Sequence, residues 1–270
     1  MRKYLLFLTL LALVVSVLSC EKTTEPFKPH RSLIYVDSNN ITGNEDGSIF
    51  HPYSSIQKGI DEAEAGATVA VFAGTYEEPQ IRLKGELTVR GAGADRTVIF
   101  NGLTGEDVTN VVVTSFEIQS GLHCTGNSDL IIHDNLFSGS AGGIIVGGTS
   151  RVIIRQNTFR VQGMIPPLLC SDESYSVVQA NIFEQGGMPV IMELSAMGDF
   201  GGGGDSNGNN DFSGQFPQEV LRNATPHELM AENNIWRFNT AAEIDRYDIV
   251  DDDENPGFGI VDFEPFILKN

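Results

Sequence analysis

Two groups of side chains in this chain have the types and spacing to do chemistry. The first is Asp172, Glu173 and Glu193. Hydrolysis of a glycosidic bond needs two carboxyl groups at a set separation, roughly 5 Å for retention and 6.5–9.5 Å for inversion. If the fold brings Glu193 beside Glu173 or Asp172, these are candidate catalytic residues. The second group is Asp205, Asn207, Asn209 and Asp211, with an oxygen donor at every second residue. That spacing matches the first part of a calcium loop. The Gly and distal Glu of an EF-hand are missing, with Asn210 and Phe216 in their places. Each group also has a plainer reading. The first is a solvated acidic turn, and the second is the Gly, Asn and Asp expected in any exposed irregular loop.

What positions these residues is a repeat. Five times an Asn is followed two residues later by a large aromatic: Asn135/Phe137, Asn157/Phe159, Asn181/Phe183, Asn210/Phe212 and Asn234/Trp236. Successive Asn residues lie 22, 24, 29 and 24 positions apart. A period of that length marks a solenoid. Two short strands recur in each repeat. One precedes the Asn, as in Leu130-Ile131-Ile132 and Val152-Ile153-Ile154; the other opens the coil, as in Ile144-Ile145-Val146 and Val190-Ile191-Met192. Strands this short, with Gly, Ser or Asn between them, are coils of a parallel β-helix. The fold class is therefore all-β, a single-stranded parallel β-helix, with about seven to eight coils expected from the spacing.

Each feature of the repeat has a physical reason. At a tight bend, backbone donors and acceptors go unpaired inside the stack, and a stacked Asn side chain can satisfy them. Asn also tolerates the left-handed conformation that such bends need. The aromatic two residues on faces the same way and stacks on its neighbours. Cys124 and Cys170 share one phase of the repeat with Val146 between them. At about 4.8 Å per coil their sulfurs are about 9.6 Å apart, too far for a disulfide, so both are read as buried apolar residues.

The same register sets the outer face of the coil-opening strands. Side chains alternate along a strand, so His123, Ile145, Leu169 and Ile191 form one outward column. Glu193 falls one coil above Ser171, which places it about 8 Å from Glu173. His123 is about 15 Å from Glu193, too far to cooperate. Residues 195–210 lengthen one repeat, and long loops on a rigid scaffold often carry function. The run Asp251-Asp252-Asp253-Glu254 reads as solvated surface.

The net charge of −19 disfavours nucleic acid and anionic lipid as partners. Arg2 and Lys3 precede an apolar run over residues 4–18, too short to span a membrane comfortably and typical of a signal peptide. The following Val17-Leu18-Ser19-Cys20 resembles a bacterial lipobox. The resemblance implies that residues 1–19 are a lipoprotein signal peptide and that Cys20 carries lipid. Residues 20–32, polar and Pro-containing, would then be a tether. It implies a bacterial cell-envelope location, at the outer membrane, periplasm or cell surface. An ordinary secretory signal is the alternative. Removing residues 1–19 takes away two positive charges and no negative ones, changing −19 to −21.

Residues 33–268 resemble the right-handed parallel β-helix superfamily with the pectin-lyase-like fold. "GIIV…RVIIRQNTF" at 143–159 is typical of it, and residues 34–78 resemble the opening module of many secreted bacterial members. That module implies a short N-terminal capping helix, here at residues 54–65, with Ile56, Ile60 and Ala63 on its apolar face. "NNIWRF…VDFEPF" resembles the closing stretch. Enzymes of this superfamily are polysaccharide lyases, glycoside hydrolases and esterases that bind sugar on the outer face of the coil-opening strand. A calcium-dependent lyase would need several acidic ligands and a base, yet no Lys occurs between Lys84 and Lys269. A glycoside hydrolase fits the acidic groups better. The resemblance thus implies a monomeric envelope protein that binds or processes a polysaccharide. The alternative is a non-catalytic adhesin-like or scaffold module that holds a protein partner on the apolar outer column.

Overall fold

The computed structural model describes residues 32–269. The expected signal peptide, the Cys20 lipid site and nearly all of the tether lie outside the described residues. Within them the chain is a right-handed parallel β-helix of three sheets. Strand pairs in named strands are all parallel, and successive coils add one strand to each sheet. The sheet that precedes the Asn column has ten strands, from Leu33–Val36 to Val261–Asp262. The coil-opening sheet has eight, from Ile81–Arg82 to Ile249–Val250. A third sheet of six strands, Gly74–Tyr76 to Ile182–Gly186, carries the aromatic residues.

That third sheet is a correction. The repeat shows two strands per coil, but strands such as Leu136–Gly139 and Thr158–Val161 make a third side. They alternate, with Phe137 and Phe159 inward and Ser138 and Arg160 outward, but they follow the Asn directly and so read as a continuation of the bend. Six turns carry all three sheets, fewer than the seven to eight expected, since the last coils keep only isolated bridges on the third side.

The Asn column holds the stack together. Asn157 Oδ1 accepts from Asn135 N at 3.0 Å, Asn181 Oδ1 from Asn157 N at 3.0 Å, and Asn210 Oδ1 from Asn181 N at 3.1 Å. Asn234 Oδ1 accepts from Asn210 N at 2.8 Å, and Asn135 Oδ1 from Phe116 N at 3.0 Å. The first four side-chain amides also donate to the next Oδ1 and to a buried carbonyl, as Asn157 Nδ2 does to Ile132 O, while Asn234 Nδ2 donates to Phe200 O and Ala231 O. All five residues are buried. The left-handed residue at this bend is not the Asn. It is the residue before it: Asp134, Gln156, Ala180, Asn209 and Asn233 have φ between 53° and 59°. The Asn must keep an ordinary φ so that its amide points inward.

Behind the column, Phe137, Phe159, Phe183, Phe212 and Trp236 stack with ring centres 5.1, 4.7, 4.8 and 4.9 Å apart. Each such contact adds about 0.5–1.5 kcal/mol beyond the area it buries. Cys124 and Cys170 are free and buried, in register with Val146 between them. Burial pushes the Cys170 thiol up to about 12 and the Cys124 thiol up to about 11, so both stay protonated.

Both ends are closed. The capping helix is Ile56–Glu62, shorter than expected, because Ser55 caps it by accepting from Lys58 N and Ala63 already leaves helical geometry. Glu78 also accepts from Ile56 N and Gln57 N at its open N-terminus. Ile56 and Ile60 are fully buried. A second helix, Ala241–Asp248, lies near the other end and was not foreseen; Thr240 caps it and only Ile244 and Asp248 are buried on it. Asp251 also departs from expectation. It is buried, and its carboxylate accepts from Val261 N at 2.8 Å, so only the rest of that acidic run is solvated.

Asn181→Ala should test the column. It removes one buried acceptor and leaves Asn157 N and Ile154 O without partners. Denaturant unfolding should show a loss of at least about 3 kcal/mol. Ile182→Ala, at an exposed neighbour, should change stability by less than about 0.5 kcal/mol. Equal effects from the two would mean the column is not what holds the coils.

Candidate functional site

The outer face of the eight-strand sheet has the expected column in continuous register. His123 pairs with Ile145, Ile145 with Leu169, and Leu169 with Ile191. The column extends beyond the four residues read from the repeat, to Arg82 and Thr104 at one end and Arg222 and Val250 at the other. Eight rungs at about 4.8 Å make a strip about 34 Å long. Its centre is apolar, Arg82 and Thr104 make one end polar, and Arg222 precedes the apolar Val250 at the other. Ile191 is only 9% exposed although it faces outward, so the strip is open at Ile145 and Leu169 and nearly covered at Ile191. Arg222 forms an ion pair with Glu219.

The acidic group sits at the corner that follows this sheet. Glu193 ends the strand Val190–Glu193, half-buried and outward, opposite Ala224. Asp172 and Glu173 lie in the corresponding corner one coil below. Asp172 has φ 60°, and its Oδ2 accepts from Gly148 N at 2.8 Å. Its own carbonyl accepts from Ser195 N at 2.9 Å. Asp172 is thus part of the corner, tying three coils together. Gly148, with φ 67°, takes the same left-handed place one coil earlier, where a Cβ would fall 2.3 Å from Gly126 O. Glu173 is exposed, and neither its side chain nor that of Glu193 has a partner among the described residues. Glu173 and Glu193 are thus the two of the three expected acidic residues whose carboxylates are not used by the corner. Beside them, Leu194 holds φ 61° while 60% exposed, an unusual conformation for a bulky side chain at a corner otherwise made by Asp or Gly.

The loop after Asp199 places the calcium-like residues. The interruption is shorter than residues 195–210, because Met197–Asp199 is a strand paired with Tyr175–Gln179. The loop itself wraps around Asp199, which is buried. Its Oδ1 accepts from Gly201 N (2.9 Å) and Gly203 N (3.2 Å); its Oδ2 accepts from Asp205 N (2.8 Å) and Ser206 N (2.9 Å). Asp205 Oδ2 accepts the Tyr175 hydroxyl at 2.7 Å, and burial with that carboxylate pushes the phenol up to about 12. Asp211 Oδ1 accepts from Ser213 N, and Asn209 Nδ2 donates to Asn207 O. The Asp205 and Asp211 carboxylates are therefore each engaged in a separate local bond. Among the described residues, no three His, Cys, Asp or Glu side chains are grouped to hold a metal ion.

Asp199 escaped the sequence reading. The signal was the Gly run 201–204 beside it: positive φ at Gly201, Gly202 and Gly204 lets the loop curl so that the N–H groups of Gly201, Gly203, Asp205 and Ser206 reach one carboxylate. Asp199→Asn should be as disruptive as removal, because its amide must face two N–H donors whichever way it turns. A stability loss of about 2–4 kcal/mol, with faster amide exchange at residues 201–206, is expected. Unchanged exchange there would show that the carboxylate does not hold the loop.

No helix among the described residues is long and apolar enough to cross a membrane. No curated protein and no solved structure matches the chain. A family model described as "Protein of unknown function (DUF1565)" matches residues 88–241, more than half of the 270-residue chain, and runs from the third strand of the ten-strand sheet to the start of the C-terminal helix. The chain therefore belongs to the DUF1565 family of right-handed β-helix proteins.

Proposed function

We propose that this protein is a cell-envelope lipoprotein of pectin-lyase-like type that binds a polysaccharide along the outer face of the eight-strand sheet. One observation carries the reading: a strip of outward side chains about 34 Å long, with one residue per 4.8 Å rung. A polymer of repeating rings is the ligand whose period such a strip can follow. The apolar centre at Ile145 and Leu169 suits the C–H faces of sugars, and Arg82, Thr104, Arg222 and the flanking Glu173 and Glu193 suit hydroxyls. The two free carboxylates would be the acid and base of a glycosidase if the glycan is cleaved as well as held. The apolar centre also favours a second reading, a scaffold or adhesin-like module that holds a protein partner there.

A glycan array followed by a reducing-end assay tests this. Wild-type protein should bind at least one polysaccharide, and Leu169→Asp should weaken that binding at least about tenfold without lowering Tm. If cleavage occurs, Glu193→Gln should abolish new reducing ends while leaving binding intact. Binding that survives Leu169→Asp unchanged would move the ligand off this face. Absence of any glycan partner would favour the scaffold reading.

The envelope location rests on Arg2, Lys3, the apolar run and Cys20. Cys20→Ala should shift the protein from the membrane to the soluble fraction of cells. Unchanged membrane association would remove the lipid anchor from the proposal.

A further inference from the structure

Two adjoining clefts lie outside the strip, where the chain passes from the aromatic side to the eight-strand sheet. They share Pro217. The first, about 420 Å³, is lined by Gln162, Gln185 and Gln215 together with Gly187 and Phe216. These three glutamines come from successive coils. Gln162 Nε2 donates to Gln185 Oε1 at 3.0 Å, and Gln185 bridges to Gln215 through the backbone. The second, about 630 Å³, holds Phe238 and Tyr247, with ring centres 5.3 Å apart, and Arg246, whose guanidinium carbon is 5.3 Å from the Tyr247 ring centre. Tyr247 is 48% exposed. The cleft reaches Val250, the last outward residue of the strip.

Charge in this groove is balanced. Arg237 is held by Asp248, and Glu219 by Arg222. The charges left over are Arg246 and Glu254, of opposite sign, and Glu254 accepts only a backbone bond from Asp251. Uncharged amides both donate and accept, which matches hydroxyl groups. Exposed rings bury the apolar face of a sugar. The glutamines span about 10 Å, the length of two sugar rings. A uronate chain would find Arg246 offset by Glu254 and no net positive charge to hold its carboxylates.

We propose that this groove binds a neutral polysaccharide, with the amide row on its hydroxyls and Tyr247 under one ring. The proposal rests on the polysaccharide reading above and narrows it to an uncharged glycan with a second contact surface.

The test uses the full-length protein and titration calorimetry. The probes are cello-, xylo- and manno-oligosaccharides, with oligogalacturonates of matched length. At least one neutral series should bind, and oligogalacturonates should bind at least about tenfold more weakly. Tyr247→Ala should weaken neutral binding about tenfold, and Tyr247→Phe should keep it within about twofold, because the ring rather than the hydroxyl makes the contact. Gln185→Ala should cost about threefold. Thermal melts of each variant should match wild type, since both positions are at the surface. Wild-type affinity in Tyr247→Ala and Gln185→Ala, with loss in Leu169→Asp, would overturn the groove and leave the outer-face reading standing. A preference for oligogalacturonate would overturn the neutral class. No binding to any probe would remove the groove together with the reading it rests on.

Discussion

A coil in this protein cannot satisfy its own backbone at the bend between the ten-strand and six-strand sheets, and everything else follows from how that is solved. The bend needs one left-handed residue, so the next N–H points into the stack rather than along a sheet. It finds an acceptor only in the side chain of the Asn one coil above. The same amide donates to carbonyls that would otherwise be orphaned. A buried unpaired donor costs about 1–3 kcal/mol, so each coil depends on its neighbour. This fixes the coil-to-coil registration and lets the rings behind the column stack face to face.

Once that registration is set, outward residues line up without further instruction. The strip from Arg82 to Val250, the glutamine row and the corner carrying Asp172 and Glu193 are all consequences of one spacing repeated. Candidate chemistry therefore appears as columns, one group per coil, rather than as a single deep pocket. That geometry suits extended partners. It also explains why Asp172 is a structural residue. The corner after the eight-strand sheet recurs in every coil and must be closed each time, by Gly148 in one coil and by the Asp172 carboxylate reaching back in the next.

Departures from the repeat are concentrated in the C-terminal half. The loop after Asp199 replaces a simple bend, and Asp199 gathers four N–H groups that this longer path would leave unpaired. The loop in turn presents Asp205 to Tyr175, and Arg151 lies over the Tyr175 ring. In the cap, Asp248 and Asp251 do similar work, accepting from Arg237 N and Val261 N. Burial raises the Asp248 pKa from its ordinary value, opposed by the Arg237 guanidinium beside it. Irregular backbone here is organised by buried carboxylates, much as the regular part is organised by amides.

The amino-acid sequence by itself determined the solenoid, the inward Asn and aromatic columns, the outward column at His123, Ile145, Leu169 and Ile191, and the two free thiols. These follow from period and alternation, which are local properties repeated until they cannot be missed. The sequence did not reveal the third sheet, because its strands follow each Asn directly and read as part of the bend. Nor did it reveal that the bend strain sits one residue before each Asn. Only the tertiary structure decided which acidic groups are engaged and which are free. Asp172, Asp199, Asp205 and Asp251 look in sequence like Glu173 and Glu193, but they differ in which backbone N–H or hydroxyl lies beside them. Those partners come from other coils or from the far side of a loop. The groove near Tyr247 was hidden for the same reason, since its lining is gathered from five separated segments that meet only when the stack is built.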